Sequence, residues 1–305
     1  MLKDIKILQI ELTSLCNAEC PMCTRNVNGE GTNPYMTLQS LPLQWFKDNI
    51  SGEQIKRLDK IFFCGTVGEP ASSSDLLEII QYFKRHNPDI VVGLNTNGGL
   101  KTATWWSKLG HLLDGNNDYC VFSIDGLEDT NHLYRRNVNW QKIMENVKAY
   151  VSTGASAHWD MLVFDHNKHQ IKDAKHLASK LGFTWFRAKE TDRWDMYKTD
   201  LGLKPASPYN EIDYNSSVPV CEIDRDKSVF LDYLGKYWPC CHIAEAYLNV
   251  VSRTLHEDIR EHDNEQLFDQ YKQRLQNGNP FYICKRACGK TTSKRNQWKT
   301  EEQLR

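Results

Sequence analysis

The sequence predicts an α/β protein, a partial (β/α)6 TIM barrel followed by a small cysteine-rich module. Up to about residue 190, short β-branched or aromatic runs alternate with longer stretches that have apolar residues at helical spacing. This pattern is typical of repeated strand-helix units around a parallel sheet. Six units are present, fewer than the eight of a complete barrel. A stretch with Pro, Ser and Asn then runs to Pro219, and five of the ten cysteines follow it.

The six predicted strands are rich in β-branched and aromatic residues. They are Ile5–Thr13, Lys60–Cys64, Ile90–Asn95, Tyr119–Ile124, His158–Phe164 and Phe183–Arg187. The predicted helices between them are Leu43–Asn49, Asp75–His86, Thr102–Leu109, Trp140–Thr153 and His169–Leu181. Ser74 and Asn139 are candidate N-caps, and Gly154 and Gly182 are expected where helices end. The predicted segments are a barrel at 1–190, a linker at 191–219 and a module at 220–305 with a basic tail.

Composition excludes several classes of protein. The 305 residues include 38 Lys plus Arg and 39 Asp plus Glu, for a net charge of −1, so no overall charge attracts nucleic acid or an anionic membrane. No apolar run approaches the roughly 18 residues that a membrane helix needs. Lys3, Asp4 and Lys6 lie where a signal peptide requires an apolar core. These observations predict a cytoplasmic protein with no membrane partner.

Three cysteines near the start of the chain carry the chemistry. In a reducing compartment, cysteines bind metals, act in catalysis or are buried. Cys16, Cys20 and Cys23 directly follow the first predicted strand, at the barrel end where active sites of such folds gather. A cubane cluster has four irons, so three thiolates would leave one iron open to another ligand. Zinc or plain burial is the alternative. Cys64 and Cys120, inside apolar runs, are assigned to the core.

The Cys-x3-Cys-x2-Cys spacing after the first strand resembles the radical S-adenosylmethionine (radical SAM) enzymes, which are partial (β/α)6 barrels. The resemblance implies that Cys16, Cys20 and Cys23 hold a 4Fe-4S cluster that binds S-adenosylmethionine (SAM). Reductive cleavage of SAM would then give a 5′-deoxyadenosyl radical, which takes a hydrogen atom from the substrate. The position before the third cysteine is usually aromatic in the family and lies against the adenine. Here that residue is Met22.

Other segments that end successive strands resemble the SAM-binding elements of the family. Residues 65–70 resemble its Gly-Gly-Glu-Pro element, which receives the amino group, with Val67 in place of the first glycine. Residues 95–98 and 123–126 resemble segments that contact the ribose and the methionine carboxylate. Arg187 ends the sixth predicted strand and either pairs with a carboxylate or forms a surface ion pair. The SAM-binding candidates are therefore Met22, Gly68, Glu69, Pro70, Asn97, Ser123, Asp125 and Arg187.

The late cysteines resemble the twitch domain, a shortened SPASM domain that holds one auxiliary 4Fe-4S cluster. The resemblance implies that four thiols saturate this cluster: Cys221, Cys240, Cys284 and Cys288. Cys241 is then the spare thiol, and spacing does not decide between it and Cys240. A zinc ion bound by four cysteines is the alternative.

Together these resemblances imply an oxidoreductase in which the auxiliary cluster accepts the electron left on the substrate after hydrogen abstraction. The arrangement is similar to the 2-deoxy-scyllo-inosamine dehydrogenases and the anaerobic sulfatase-maturating enzymes. The expected substrate is a small polar molecule or a peptide, because the first strand begins near residue 5 and leaves no room for a leader-peptide-binding domain. The expected electron donor is a flavodoxin or ferredoxin. Glu190, Asp192 and Asp195 are candidate bases, and none is preferred.

Two alternatives stay open. One is a radical SAM enzyme that modifies RNA, although the overall charge does not favour a nucleic-acid partner. Its docking site would be a run of basic residues without an acid: Lys285, Arg286, Lys290, Lys294, Arg295 and Lys299. A solvated tail explains the same charges. The other alternative is a non-catalytic protein that binds zinc in both cysteine groups.

Overall fold

One large sheet organises the protein. A computed structural model describes residues 4–113, 115, 117–191, 193–195, 201–208, 214, 218–248, 259, 262–290 and 298–304. The strands in these residues are β1 (Ile7–Ile10), β2 (Lys60–Phe63), β3 (Val91–Thr96), β4 (Tyr119–Ser123), β5 (Ala157–Val163), β6 (Trp185–Glu190), β7 (Val218–Pro219), β8 (Ser228–Leu231), β9 (Tyr237–Trp238), β10 (Gly289–Lys290) and β11 (Trp298–Gln303). Nine of these described strands form one sheet in the order β11-β6-β5-β4-β3-β2-β1-β8-β9, and β10 pairs with β7.

The helices alternate with the first six strands and then continue into the C-terminal segment. In the described residues they are α1 (Leu43–Asn49), α2 (Gly52–Ile55), α3 (Leu76–His86), α4 (Ala103–Leu112), α5 (Asn131–Tyr134), α6 (Trp140–Val151), α7 (Ile171–Leu181), α8 (Glu222–Asp226), α9 (Cys241–Leu248), α10 (Asn264–Gln276) and α11 (Tyr282–Cys288). Short 3₁₀ turns occupy Pro70–Ser72, Lys168–Gln170 and Arg193–Asp195. Within the part of the chain described, no helix is both long and apolar enough to cross a membrane.

Strands β1 to β6 lie in sequence order and each pairs in parallel with the next. Parallel neighbours need long crossovers, and helices supply them here. One face of the sheet packs on these helices through fully buried aromatic side chains such as Phe122, Trp106 and Trp159. The predicted partial (β/α)6 barrel is therefore confirmed. All six strands point their carboxyl ends to the same edge, which brings the loops that follow them together.

Two of the four residues predicted at helix ends hold those positions in the structure. The Asn139 side chain accepts a hydrogen bond from the Lys142 N–H and caps α6, and Gly182, at a φ of 91°, ends α7. Ser74 does not cap α3, because Asp75 occupies that position. The α6 helix ends at Val151, before Gly154.

The C-terminal segment extends the barrel sheet at both edges. Strand β8 pairs in parallel with β1, and β11 pairs antiparallel with β6. The end of the predicted basic tail is thus an edge strand, while Lys294 and Arg295 lie outside the described residues. Because β8 and β11 pair with strands that are far away in the sequence, no local periodicity predicts their place in the sheet.

A shared apolar cluster joins the C-terminal segment to the barrel. Phe62 and Cys64, at the end of β2, pack with Phe230, Ile243 and Phe281. The Asn33 side chain donates to the Leu248 carbonyl at 2.9 Å, and the Gln39 side chain donates to the Tyr233 carbonyl at 2.9 Å. The C-terminal segment therefore packs directly against the barrel, at the end of β2 and at the segment after β1 that carries the early cysteines.

Candidate metal centres

The larger cavity, about 470 Å³, lies at the carboxyl ends of the barrel strands. Most of the residues that the sequence selected line it together: Cys16, Cys20, Cys23, Gly68, Glu69, Asn97, Ser123 and Asp125. They come from the loops after β1, β2, β3 and β4. The parallel register accounts for this convergence, because it places the ends of all four strands at one edge.

N–H donors approach the sulfur atoms of the cysteine loop. The Ala18 N–H donates to Cys16 Sγ at 3.3 Å, and Arg135 Nη1 lies 3.8 Å from Cys20 Sγ. Burial raises the pKa of the Cys16 thiol to about 12 and that of Cys23 to about 11. Such thiols ionise when a metal centre compensates their charge. The donor set therefore suits a charged group that bonds to sulfur.

The described residues contain no group of three or more His, Cys, Asp or Glu arranged to hold a single metal ion. A tetrahedral zinc site places every sulfur ligand about 2.3 Å from one ion. A cubane instead bonds each thiolate to a different iron, so the thiolates stand farther apart. Three thiols that line one cavity are the ligand type that such a cluster takes.

A buried carboxylate holds the loop after β2. The side chain of Glu11, just beyond β1, accepts hydrogen bonds from the N–H groups of Thr66, Val67 and Gly68 at 2.6, 3.2 and 2.9 Å. Burial raises the pKa of Glu11 to about 7, although these hydrogen bonds favour the charged form and lower the pKa. Glu11 is not among the residues that the sequence motifs indicate, and its one signal is that an acidic residue ends an apolar strand.

Gly68 allows this loop to pack closely against the backbone at Thr13. A Cβ atom at this position would lie 1.8 Å from the Thr13 carbonyl oxygen. The structure shows that the backbone of the cysteine loop makes the close approach.

Glu69 keeps one acceptor position open. Its buried carboxylate accepts from the Ala71 N–H at 3.2 Å, from Thr96 Oγ1 at 2.7 Å and from the Asn97 N–H at 2.6 Å. A carboxylate has about four acceptor positions, so about one remains for a ligand in the cavity that Glu69 lines. Burial raises the pKa of Glu69. Pro70 is buried at the start of the following 3₁₀ turn and is not among the residues that line the cavity.

The Asp125 carboxylate is held by hydrogen bonds from other protein groups. Its two oxygens accept from Arg135 Nε and from the Leu162 N–H, each at 2.6 Å. Burial raises the pKa of Asp125, and the Arg135 guanidinium opposes this shift. The pair directs Arg135 toward the cavity that both residues line. The sequence analysis missed Arg135, although it lies only ten residues beyond Asp125.

Met22 and Arg187 do not line the larger cavity. The Met22 side chain is fully buried in the barrel core, and its carbonyl accepts from Arg193 Nη1 at 2.6 Å. Arg187 Nε donates to Asp160 Oδ1 at 3.0 Å. Arg187 therefore forms an ion pair within the protein, which is the second of the two predictions for it. Strand β6 continues to Glu190, which places Arg187 inside the strand rather than at its end.

Residues beyond Arg187 occupy the end of β6 instead. Glu190 lines the cavity and accepts from Ser207 Oγ at 2.6 Å. Asp192 lies outside the described residues, and so does the side chain of Asp195. Of the three candidate bases, Glu190 is thus the one that the structure describes at the cavity.

The late cysteines surround a smaller cavity of about 150 Å³. Its lining includes Cys221, Cys240, Cys241, Cys284 and Cys288. Cys221 precedes α8, and Cys240 precedes α9. Cys284 and Cys288 lie four residues apart in α11, which places them on one face of that helix. Loops and helices far apart in the sequence therefore bring these thiols to one cavity.

The two adjacent cysteines differ in position. Cys240 Sγ accepts from the Ile243 N–H at 3.4 Å. Cys240 lines the smaller cavity and not the larger one. Burial raises the pKa of Cys240 to about 12, and Cys288 and Cys221 add to the shift. Cys241 lines both cavities, so it lies in the wall between them.

Helix α9 is tied directly to the cysteine loop. Glu245 Oε1 accepts from Thr24 Oγ1 at 3.0 Å and pairs with Arg193 Nη2 at 3.2 Å. Burial by itself would raise the pKa of Glu245, but the Arg193 charge and the Thr24 hydrogen bond contribute to a net lowering. Arg193 also holds the Met22 carbonyl, so one pair of side chains links both cysteine groups.

The two remaining cysteines are both buried. Cys120 lies in the barrel core with no exposed surface, as the sequence analysis assigned it. Cys64 is 7% exposed and lines the larger cavity.

Comparisons with known proteins identify relatives. Residues 10–178, more than half of the chain, match the family model described as the Radical SAM superfamily. A tungsten-containing aldehyde ferredoxin oxidoreductase cofactor-modifying protein from Pyrococcus furiosus is 27% identical over 275 residues, which cover 80% of this chain and 73% of that protein. A 7,8-dihydro-6-hydroxymethylpterin dimethyltransferase from Methanocaldococcus jannaschii is 30% identical over 147 residues, 47% of this chain and 27% of that protein.

Streptococcus suis SuiB bound to the precursor peptide SuiA is a similar solved structure. It has a TM-score of 0.55 and 12% identity to this chain. The match covers 81% of this chain and 61% of SuiB, so this chain spans less than two thirds of the SuiB length. At this identity the likeness shows a shared fold.

Gly68→Ala tests the packing of the loop after β2. We expect it to lower the free energy of unfolding by about 1 to 3 kcal/mol, because the new methyl group overlaps the Thr13 backbone. Gly115→Ala is the matched control, since no atom of the described residues apart from its chain neighbours lies within 4 Å of its Cβ position, and it should change stability by less than about 0.5 kcal/mol. Denaturant unfolding followed by circular dichroism measures both. Equal stabilities for the two variants would contradict the close approach.

Proposed function

Because this chain belongs to the radical SAM superfamily, we propose that it oxidises a C–H bond of a small polar molecule or peptide by SAM-derived radical chemistry. Cys16, Cys20 and Cys23 would hold the SAM-binding 4Fe-4S cluster. An auxiliary 4Fe-4S cluster would be bound in the module at 220–305 by Cys221, Cys240, Cys284 and Cys288. The observation that carries the proposal is the pair of cysteine-lined cavities that share a wall at Cys241.

When bound, the first cluster supplies the electron that cleaves SAM to methionine and a 5′-deoxyadenosyl radical, and the second accepts the electron that the substrate radical loses together with a proton. The protein supplies the positions of the reactants and the exclusion of water. The larger cavity lies in the barrel mouth, and residues of α9 and α11 form part of its wall. The C-terminal module would thus screen the reaction from solvent.

Opposite charges on the wall of the larger cavity suit an amino acid group. Glu69 offers its remaining acceptor position to an ammonium group. Arg135 offers N–H donors and a positive charge to a carboxylate, and Asp125 holds its guanidinium in place. SAM carries both groups on its methionine portion. Asn97 and Ser123 line the same cavity and can bind hydroxyl groups of the ribose.

Four of the five thiols around the smaller cavity would match the four irons of a saturated cluster. Cys240 directly precedes α9, and Cys284 and Cys288 lie in α11. Both helices also reach the larger cavity: Cys241 and Ala246 of α9 and Ile283 and Ala287 of α11 line it. This proximity favours electron transfer between a substrate in the larger cavity and the auxiliary cluster. An external donor such as a flavodoxin or ferredoxin would supply the electron for SAM cleavage.

Both proposed substrate classes have a parallel among the similar proteins. The Pyrococcus relative is named as a cofactor-modifying protein, and SuiB was solved with a precursor peptide. A small molecule and a peptide therefore both stay within the proposal.

Iron counting after anaerobic reconstitution tests the proposed clusters. We expect about eight irons per chain, because two four-iron clusters are proposed. The triple variant Cys16→Ala, Cys20→Ala and Cys23→Ala should retain about four irons and form no 5′-deoxyadenosine. Cys120→Ala is the control, since that thiol is in the barrel core, and should retain both clusters. Stoichiometric zinc in place of iron, or SAM cleavage by the triple variant, would refute the assignment.

Separate variants decide between the two adjacent cysteines. Cys240→Ala should lose the auxiliary cluster, since this thiol lines only the smaller cavity. Cys241→Ala should retain it, because that thiol lies in the wall between the cavities. The readouts are iron content and the electron paramagnetic resonance (EPR) signal of the reduced protein. The reverse result would assign Cys241 as the ligand.

Arg135→Met tests carboxylate recognition. A hydrogen bond to a charged group is worth about 1.5 to 3 kcal/mol, so we expect the Kd for SAM to rise by roughly 10- to 100-fold. Arg57→Met is the control. Arg57 is exposed and precedes β2 in the sequence, so its replacement should leave the Kd unchanged. Equilibrium dialysis with anaerobically reconstituted protein measures the affinity, and iron content verifies that the clusters are intact. An unchanged Kd with full iron content would contradict the role of Arg135.

A further inference from the structure

The barrel sheet contributes polar residues to the wall of the smaller, cysteine-lined cavity. Gln9 of β1 and Ser228 of β8 both line it. These strands are adjacent and parallel, with Ile7 opposite Ser228 and Gln9 opposite Phe230. Opposed residues share a face of the sheet, and so do residues two apart along a strand. Gln9 and Ser228 are therefore neighbours on the face that meets the late cysteines.

The side-chain amide of Gln9 has no hydrogen-bond partner in the part of the chain that the structure describes. The side chains opposite it, those of Phe62 in β2 and Phe230 in β8, carry no hydrogen-bond acceptor. Tyr271, which also lines the cavity, differs because its hydroxyl donates to Asp224 Oδ1 at 3.0 Å. The half-buried Gln9 amide therefore keeps its N–H donors available to an acceptor in the cavity that it lines.

Beside the oxygens of Ser228 and of Asp226, which already accepts from Arg225, the cavity offers Gln9 the sulfur atoms of five cysteines. Its wall carries the thiols proposed to bind the auxiliary cluster, and such a cluster also brings its own sulfides. A reduced cluster carries one more negative charge than an oxidised one, so an N–H donor stabilises the reduced form more strongly. Hydrogen bonds to the sulfurs are among the factors that set cluster potentials.

We propose that Gln9 donates a side-chain hydrogen bond to a sulfur of the auxiliary cluster and raises its reduction potential, an inference that rests on the proposed function. In that reaction the substrate radical would lose one electron to this cluster, lowering its charge from 2+ to 1+, and one proton to a base at the larger cavity, where Glu190 is the described candidate. A higher potential makes this electron transfer more favourable. Gln9 thus adapts the cluster to the role of acceptor.

Gln9→Met tests the inference, because methionine is similar in length and lacks the N–H donors. The midpoint potential of the auxiliary cluster is measured by EPR-monitored redox titration. Full-length protein with Cys16, Cys20 and Cys23 replaced by alanine gives one cluster signal, and the two-cluster protein is titrated alongside it. We expect Gln9→Met to lower the ratio of reduced to oxidised cluster about tenfold at a given potential, a shift of about 59 mV for one electron.

Two further variants make the result specific. Gln44→Met changes a glutamine on α1 that donates to Asp48, and should leave the potential unchanged. Gln9→Glu keeps the side-chain size, removes the donor and adds a negative charge, so it should also lower the potential. It provides the test if Gln9→Met fails to retain iron. Pulsed EPR of the reduced protein after exchange into D₂O should show a strongly coupled exchangeable proton that Gln9→Met and Gln9→Glu lack.

The outcomes separate this inference from the proposed function. If Gln9 variants retain about four irons in the triple-alanine protein and keep the wild-type potential and proton coupling, the role of Gln9 is wrong. If the triple-alanine protein with Gln9 intact holds no iron, the auxiliary cluster and with it the proposed function are wrong. A lowered potential with full iron content supports both.

Discussion

The buried Glu11 carboxylate is the interaction on which the larger cavity depends. It accepts three consecutive backbone N–H groups from residues 66–68 and thereby joins the end of β1 to the loop after β2. Gly68 allows that loop to touch the Thr13 carbonyl, and Glu69 follows directly with its carboxylate at the cavity. Removing the Glu11 acceptor would leave buried N–H groups unpaired, each at a cost of about 1 to 3 kcal/mol.

Charged groups of both signs lie on the wall of the larger cavity. Asp125 and Arg135 form a buried pair, so neither charge is isolated in a medium where an unpaired ion is costly. The pair still directs guanidinium N–H groups toward Cys20. Glu69 is fixed by other protein groups and retains acceptor capacity. A fixed acceptor and a fixed donor on one wall need little reorganisation when a ligand binds.

The C-terminal segment belongs to the same structure as the barrel. Strands β8 and β11 continue the sheet at its two edges, and Glu245 links α9 to Thr24 and Arg193 near the early cysteines. Cys241 separates the two cavities. These contacts fix the distance between the two cysteine groups, which matters for any electron that passes between them.

The sequence by itself determined the strand-helix order, the six parallel strands and the grouping of the cysteines, because periodicity and spacing are local properties of a chain. It did not reveal Glu11, Arg135 or Glu245, since each acts on a partner brought near by folding, and the partner of Glu245 at Thr24 is 221 residues away. The sixth strand ends at Glu190 rather than at Arg187 as the sequence predicted. Only the tertiary structure decided which side chains share a cavity, because packing of distant segments sets those contacts and leaves no repeat in the sequence.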